Sequence, residues 1–318
     1  MNNREETVPG LPSPGELLDR LRQSGFTFNH RLGQNFLYDR GTLGAIAREA
    51  GVGPGDHVLE IGAGAGTLTV ELARLGASVA SVEIDRRLLA VLREALAGCS
   101  GITLIAGDFL KVDVDQIFAD LEQKSGPSAG HRRVVGNLPY YITSPVLMKL
   151  VEAAPTARRP WETATVTVQK EVAERLAAPP GGKDYGALTL AVTYYAEVRA
   201  GRVIPPGAFR PAPGVASQVV TLVRRPSPPI QADREVLFRL VRAGFGQRRK
   251  TLANALSSIG GGRPGLVADW PGLLRGAGID PKRRAETLSL ADFGRLAQAV
   301  EPLAGDLWPP IGEAEGPR

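Results

Sequence analysis

From His57 onward, short apolar runs alternate with amphipathic stretches. His57-Val58-Leu59-Glu60-Ile61, Ala77 to Glu83, Ile102 to Ala106 and Arg133-Val134-Val135-Gly136 read as strands. Thr67 to Leu75, Arg86 to Leu96 and Val112 to Leu121 carry helical periodicity between them, and Lys124 to His131 is a polar loop. Continuous apolar strands separated by helices predict a parallel sheet covered on both faces. Thr163 to Val168 and Val219 to Val223 add further strands, and Glu16 to Arg22 a short leading helix. Beyond the stiff segment Arg225-Pro226-Ser227-Pro228-Pro229-Ile230, helical patterns dominate, at Arg234 to Gly244, Arg249 to Ser257 and Leu290 to Val300. The expected organisation is a disordered start (1–14), an α/β domain (15–225), a linker (226–232), a helical domain (233–301) and a disordered tail (302–318).

Composition narrows the classes. A chain of 318 residues with 43% hydrophobic and 22% charged content is ordinary for a globular enzyme. Met1 to Glu6 has no apolar run behind it, and no stretch approaches a membrane span, so the expectation is a cytoplasmic protein with no membrane partner. One cysteine, Cys99, excludes internal disulfides and a cysteine-based zinc site, and His30, His57 and His131 lack ligand spacing, so no metal is expected. The net charge of +5 is mild but uneven. Val198 to Ala232 holds five arginines and no acid, and Val236 to Val267 six basic residues and no acid. Charge runs are usually solvated surface; two such stretches in one half of the chain point to a polyanion.

The strand ends carry the chemistry. Glu60-Ile61-Gly62-Ala63-Gly64-Ala65-Gly66-Thr67 closes the first strand and opens a helix, where glycines let backbone approach a ligand. A dinucleotide fingerprint from Gly62 needs glycine at 67, where Thr67 stands. Glu83 ends the second strand, where a carboxylate takes two ribose hydroxyls, or caps a helix. Gly107-Asp108-Phe109 ends the third, with an acceptor and an aromatic placed for an adenine, or with Asp108 as an N-cap. After the fourth comes Asn137-Leu138-Pro139-Tyr140. Asn137 offers an acceptor, the turn a backbone carbonyl, most simply that of Leu138, and Tyr140 a stacking face. Two acceptors drawing on one exocyclic amine turn its delocalised lone pair toward a methyl donor. Alone, this is an ordinary Asn-Pro turn; as the last of four consecutive strand ends carrying Gly, Glu, Asp and Asn, it reads as a nucleoside cofactor, S-adenosylmethionine, beside an amine acceptor.

With these motifs in view, the chain resembles the small-subunit (16S) ribosomal RNA adenine N6,N6-dimethyltransferases of the KsgA/RsmA type over residues 30 to 300. The likeness is carried by Gly33-Gln34-Asn35-Phe36-Leu37, Glu60-Ile61-Gly62-Ala63-Gly64, Val82-Glu83-Ile84-Asp85, Gly107-Asp108, Gly136-Asn137-Leu138-Pro139-Tyr140, Gln169-Lys170-Glu171-Val172, Tyr185-Gly186, Phe209-Arg210-Pro211-Ala212-Pro213 and Ser217-Gln218-Val219-Val220. The neighbouring large-subunit family shares the Asn-x-Pro-Tyr motif; Phe245 to Leu252, Gly278 to Pro281 and Arg284-Ala285-Glu286 are similar to the small-subunit type. Gly214 and Ala216 depart from the family, which often has a lysine and an acid there. The resemblance implies a Rossmann-like S-adenosylmethionine-dependent methyltransferase sheet with a small helical C-terminal domain. It implies a cofactor pocket of Asn35, Leu37, Gly62, Glu83, Asp108 and Asn137, with S-adenosylhomocysteine as product. Asn137, Leu138 and Tyr140 would hold the target adenine, with Phe209 stacked on its other face, and no general base. The implied substrate is a pair of adjacent adenosines in the 3'-terminal hairpin loop of 16S rRNA. The implied state is a monomer acting on a small-subunit assembly intermediate, with Arg224, Arg225, Arg248, Arg249 and Lys250 on the RNA. The alternatives are a large-subunit rRNA or DNA adenine methyltransferase, or a non-catalytic assembly factor.

Overall fold

The computed structural model describes residues 10–28, 33–125, 130–153, 159–257, 259 and 269–308. Its first unit opens with α1 (Pro14–Gln23), β1 (Phe36–Leu37) and α2 (Arg40–Glu49). The alternating core follows as β2 (His57–Ile61), α3 (Thr67–Arg74), β3 (Ser78–Glu83), α4 (Arg86–Ala95), β4 (Ile102–Ala106), α5 (Val114–Ser125), β5 (Arg132–Asn137), α6 (Thr143–Ala153) and β6 (Thr163–Gln169). Then come α7 (Lys170–Leu176), α8 (Ala187–Tyr195), β7 (Ala196–Ile204), β8 (Phe209–Arg210) and β9 (Ser217–Arg224). The remaining helices are α9 (Arg234–Gly246), α10 (Leu252–Leu256), α11 (Trp270–Gly276), α12 (Leu290–Val300) and α13 (Ala304–Leu307).

Seven strands form one sheet in the order β4-β3-β2-β5-β6-β9-β7. Pairings from β4 through β6 are parallel, and β9 joins β6 and β7 antiparallel. The chain runs outward from β2 to β4, then returns to lay β5 on the other side of β2. This reversal opens a crevice beyond the carboxyl ends of β2 and β5, where doubly wound sheets bind ligands. β2 is buried along its whole length and β3 from Val79 on, which explains their unbroken apolar character. Leu43 and Ile46 of α2 and Leu68 and Leu72 of α3 pack with Val58, Val79, Val135 and Val219 of the sheet in one core cluster. Side-chain caps set several helix starts: Ser13 and Glu16 form a reciprocal box at α1, Asp39 caps α2, and Asp85 caps α4.

The chain divides into two compact units, Met1–Glu174 with Ala196–Arg224, and Arg175–Tyr195 with Arg225–Arg318. Residues 175–195, placed by the sequence reading in the α/β domain, thus fall in the second unit, where Tyr185 Oη donates to the Leu288 carbonyl (2.8 Å). Leu237, Leu240, Leu252, Leu256, Phe293 and Leu296 are buried in that unit.

Both expected disordered ends require correction where they are described. Ser13 caps α1, which begins at Pro14, and Arg74 Nη2 donates to the Pro12 carbonyl (2.7 Å). Residues 304–307 form α13, Leu307 is buried, and the Arg239 guanidinium sits over the Trp308 ring, 5.4 Å from its centroid. Residues 1–9 and 309–318 lie outside the described residues. α10 begins at Leu252, so Gln247 to Lys250 form a turn after α9, where the sequence reading starts a helix at Arg249.

Candidate active site

The carboxyl ends of β2, β3, β4 and β5 open on one cavity. Its wall includes Asn35, Leu37, Glu60, Gly62, Glu83, Asp108, Asn137, Leu138, Tyr140 and Tyr141. All the expected cofactor residues are therefore brought together, as are three of the four expected base-binding residues.

Glycines at four positions make this approach possible. Gly62, Gly64 and Gly66 all take positive φ (79°, 54° and 77°), and a Cβ on Gly66 would fall 2.6 Å from Leu92 Cδ2. Gly136, one residue before Asn137, would place a Cβ 2.9 Å from the Ile61 carbonyl, so only glycine lets β5 lie this close to β2.

Two buried carboxyl groups stand on the wall. Glu83 accepts the Gly64 N–H at Oε2 (2.8 Å) and the Asp85 N–H at Oε1 (2.9 Å). Burial raises its pKa, and these backbone donors oppose the rise. Each oxygen keeps a further lone pair for a ligand hydroxyl. Glu60 is 1% exposed; its Oε2 accepts from Ser81 Oγ and from Thr69 Oγ1 (2.5 Å), and its Oε1 has no hydrogen-bond partner among the described residues. Burial pushes Glu60 up to about 7, with the nearby Glu83 adding to the rise and the two hydroxyls opposing it. An orphaned buried carboxyl oxygen beside a second carboxylate suits a ligand that brings positive charge or donors.

The Asn137 amide is oriented by its surroundings. Its Nδ2 donates to the Asn35 carbonyl (2.9 Å), and a carbonyl can only accept, so Oδ1 is left as the free acceptor end. Asn35 in turn donates through Nδ2 to the Gly33 carbonyl (3.2 Å). The Leu138 N–H donates to the Thr167 carbonyl of β6 (3.1 Å), and the Leu138 side chain is buried. Tyr140 Oη pairs with Oγ of the fully buried Ser217 on β9 (2.8 Å), and burial raises its pKa. The ring is thus fixed at both its backbone and its hydroxyl.

Phe209 corrects the sequence reading. Rather than facing Tyr140 across the cavity, it is 2% exposed and belongs to the core cluster with Leu37, Leu43 and Ile46. The cause is the antiparallel β1–β8 pair, which sets Phe209 opposite Leu37. Leu37 contributes chiefly through this pairing and through its carbonyl, which accepts from Thr67 Oγ1 (2.7 Å). The sequence reading missed Glu60, Ser217 and Tyr141 as site residues; Glu60 and Ser217 lie within motifs it quoted, and only the fold shows what they touch.

The expected RNA contacts are not gathered at this cavity. Arg224 Nε donates to the Trp161 carbonyl (3.0 Å) and Arg225 Nε to the Thr193 carbonyl (3.2 Å). Arg248 donates to the Tyr185 carbonyl (3.0 Å) and pairs with Glu286 (3.2 Å). Arg249 and Lys250 are exposed on the turn after α9 and have no ion pair among the described residues. No helix among the described residues is long and apolar enough to cross a membrane, and no cluster of three potential metal ligands occurs among them.

A doubly wound sheet with this glycine turn, acidic wall and Asn-x-Pro-Tyr strand end defines an S-adenosylmethionine-dependent methyltransferase. The model of the family described as ribosomal RNA adenine dimethylase matches residues 25–296. Ribosomal RNA small subunit methyltransferase A of Moorella thermoacetica is 44% identical over 295 residues, 92% of this chain and 100% of the relative. The Geobacillus kaustophilus protein of the same name is 43% identical, covering 93% and 98%. Among solved structures, a dimethyladenosine transferase from Plasmodium falciparum superposes with a TM-score of 0.66 at 25% identity, over 82% of this chain and 96% of that one. The 23S rRNA methyltransferase ErmE gives 0.58 at 28% identity, over 84% and 100%. The chain belongs to the ribosomal RNA adenine dimethylase family.

Proposed function

We infer that the protein dimethylates N6 of two adjacent adenosines in the 3'-terminal hairpin loop of 16S rRNA, in the cytoplasm, as a monomer acting on a small-subunit assembly intermediate. The observation that carries the chemistry is the Asn137 amide, turned by the Asn35 carbonyl so that its oxygen is the end free to accept. S-adenosylmethionine, when bound, supplies an electrophilic methyl group and leaves as S-adenosylhomocysteine.

Glu83 would hold the ribose hydroxyls through its remaining lone pairs, and Asp108 the adenine amine of the cofactor. Gly62 gives close backbone approach, while Asn35 and Leu37 close the pocket beside it. The buried carboxyl groups of Glu60 and Glu83 favour a ligand carrying positive charge. On the target side, Asn137 Oδ1 and the Leu138 carbonyl accept the two amine protons of adenine, and Tyr140 stacks on its ring. These fixed acceptors direct the nitrogen lone pair toward the methyl group without moving during the reaction. With the lone pair so directed, the new N–C bond would form as the donor's S–C bond breaks, and the amine proton would pass to solvent. A second transfer on the same nitrogen completes the dimethyl product.

RNA contacts in the second unit fall to Arg249 and Lys250, whose side chains are uncommitted to ion pairs among the described residues. Arg224, Arg225 and Arg248 can add to them while holding backbone carbonyls. The test is methylation with labelled cofactor of small-subunit particles lacking the modification, naked 16S rRNA, 23S rRNA and duplex DNA. Dimethyladenosine confined to the small-subunit particle supports the reading; label in 23S rRNA or DNA overturns its substrate.

A further inference from the structure

Tyr140 and Tyr141 are consecutive residues of one 3-10 turn (Tyr140–Ile142), line the same cavity, and meet different fates. Tyr140 is anchored to Ser217, whereas Tyr141 is 56% exposed at the cavity mouth. A lone surface aromatic needs no explanation; this one is held beside the reacting groups. Gly33 lies against one side of the ring, where a Cβ would fall 3.3 Å from Cδ1 and 3.5 Å from Cε1. Gly33 has φ +58°, so the chain passes the ring at a position where any side chain would be both strained and crowded.

The local charge decides what the open part of the ring can receive. Burial of part of the phenol, with the carboxylates of Asp108 and Glu83, raises its pKa, so the ring stays neutral in acidic surroundings. Those carboxylates repel a phosphate group and leave a flat, uncharged partner as the favourable occupant. RNA read in single strands presents such partners, because bases splayed from a stack are received on aromatic side chains. We propose that Tyr141 is a specificity residue of the methylation site, a shelf on which the base adjoining the target adenine stacks. This rests on the adenine-methylating reading above and adds a second base to the recognised unit. Extruding the target breaks its stack with that neighbour, and Tyr141 replaces the lost contact.

The test combines Tyr141→Ala and Tyr141→Phe with small-subunit particles reconstituted from RNA bearing an abasic nucleotide on either side of the target. Tyr141→Ala should raise KM for the intact particle about tenfold or more, the scale of one base–aromatic stack. S-adenosylmethionine affinity by calorimetry and Tm should stay near wild type, and Tyr141→Phe should restore KM. One of the two abasic particles should raise KM of the wild-type enzyme similarly, and should be no worse for Tyr141→Ala, because the same contact is already gone. An unchanged KM, an additive penalty on both abasic particles, or a loss of cofactor affinity in Tyr141→Ala would overturn the shelf. A wild-type enzyme that leaves the intact particle unmethylated would instead overturn the reading beneath it.

Discussion

The strand-end cavity and the basic stretches of the later chain make an instructive pair. At the cavity, residues conspicuous in sequence converge, because a parallel sheet brings every strand's carboxyl end to the same edge. Along the basic stretches, the conspicuous residues disperse into separate structural tasks. The run from Val198 to Ala232 is free of acids in sequence, yet Arg199 pairs with Glu197 (2.8 Å) and Arg202 with Glu49. Arg210 lies over the Tyr38 ring at 4.6 Å, and Arg224 and Arg225 each hold a backbone carbonyl. Topology concentrates chemistry that follows strand order, whereas charge patterns are rewritten by partners outside the run, from Glu197 at its edge to Glu49 far away in sequence.

The largest expected effect lies on the convergent side. Asn137→Ala should lower single-turnover methyl transfer at saturating cofactor by roughly 100-fold or more, with Tm nearly unchanged, as for loss of one preorganised polar group. A near wild-type rate would reduce the Asn35–Asn137 bond to a packing feature with no part in methyl transfer.

The next effect is on stability rather than rate and comes from Glu60, whose titration belongs to the wall itself. Its folded pKa, about 7, lies above the ordinary value of 4.5, so the folded state holds the proton more tightly than the unfolded state. The stabilisation is therefore full below pH 4.5 and is lost as pH rises through about 7. Glu60→Gln should remove that decline. Wild-type stability relative to the Gln variant should fall by up to about 3 kcal/mol across the window, measured by urea unfolding without cofactor. Parallel pH profiles for the two proteins would show that Glu60 does not titrate there.

The smallest effect sharpens the dispersed side. Arg249 and Lys250 replaced together by neutral residues should reduce the slope of log affinity for particles against log salt, by at most about one unit per lost phosphate contact. Arg248→Ala should instead lower thermal stability, by about 1 kcal/mol, through lost bonds to the Tyr185 carbonyl and Glu286. Salt-slope and Tm measurements on both variants separate the tasks. Interchanged results would mean that exposure is a poor guide to which arginine meets RNA.

The same contrast explains what was legible in the sequence. β2 to β5 and their intervening helices stand out because each is a long apolar or amphipathic run ended by glycine or acid, and α12 matches its expected span, Leu290–Val300. β7 does not stand out: as a sheet edge it exposes Glu197, Ala200, Gly201 and Arg202 and needs little apolar patterning. α8 is hidden for the opposite reason, being apolar on nearly every side, with Leu190, Val192, Tyr194 and Tyr195 buried. Phe209 was visible as a motif residue but not as a core residue, because its burial depends on a two-residue pairing with β1 across more than half the chain.

That two-residue pairing closes a loop of attachments. Asn35 holds Asn137, the turn after Asn137 carries Tyr140, Tyr140 is tied to Ser217, and the chain before Ser217 runs back through Phe209 to Leu37. The donor pocket and the acceptor turn are therefore surveyed from one benchmark. A thermal displacement of that benchmark carries both partners along together, and the alignment error that reaches the transferred carbon is only the difference between them. For a reaction sensitive to misplacement by a single ångström, such common-mode cancellation guards rate without demanding that the surrounding protein be stiff.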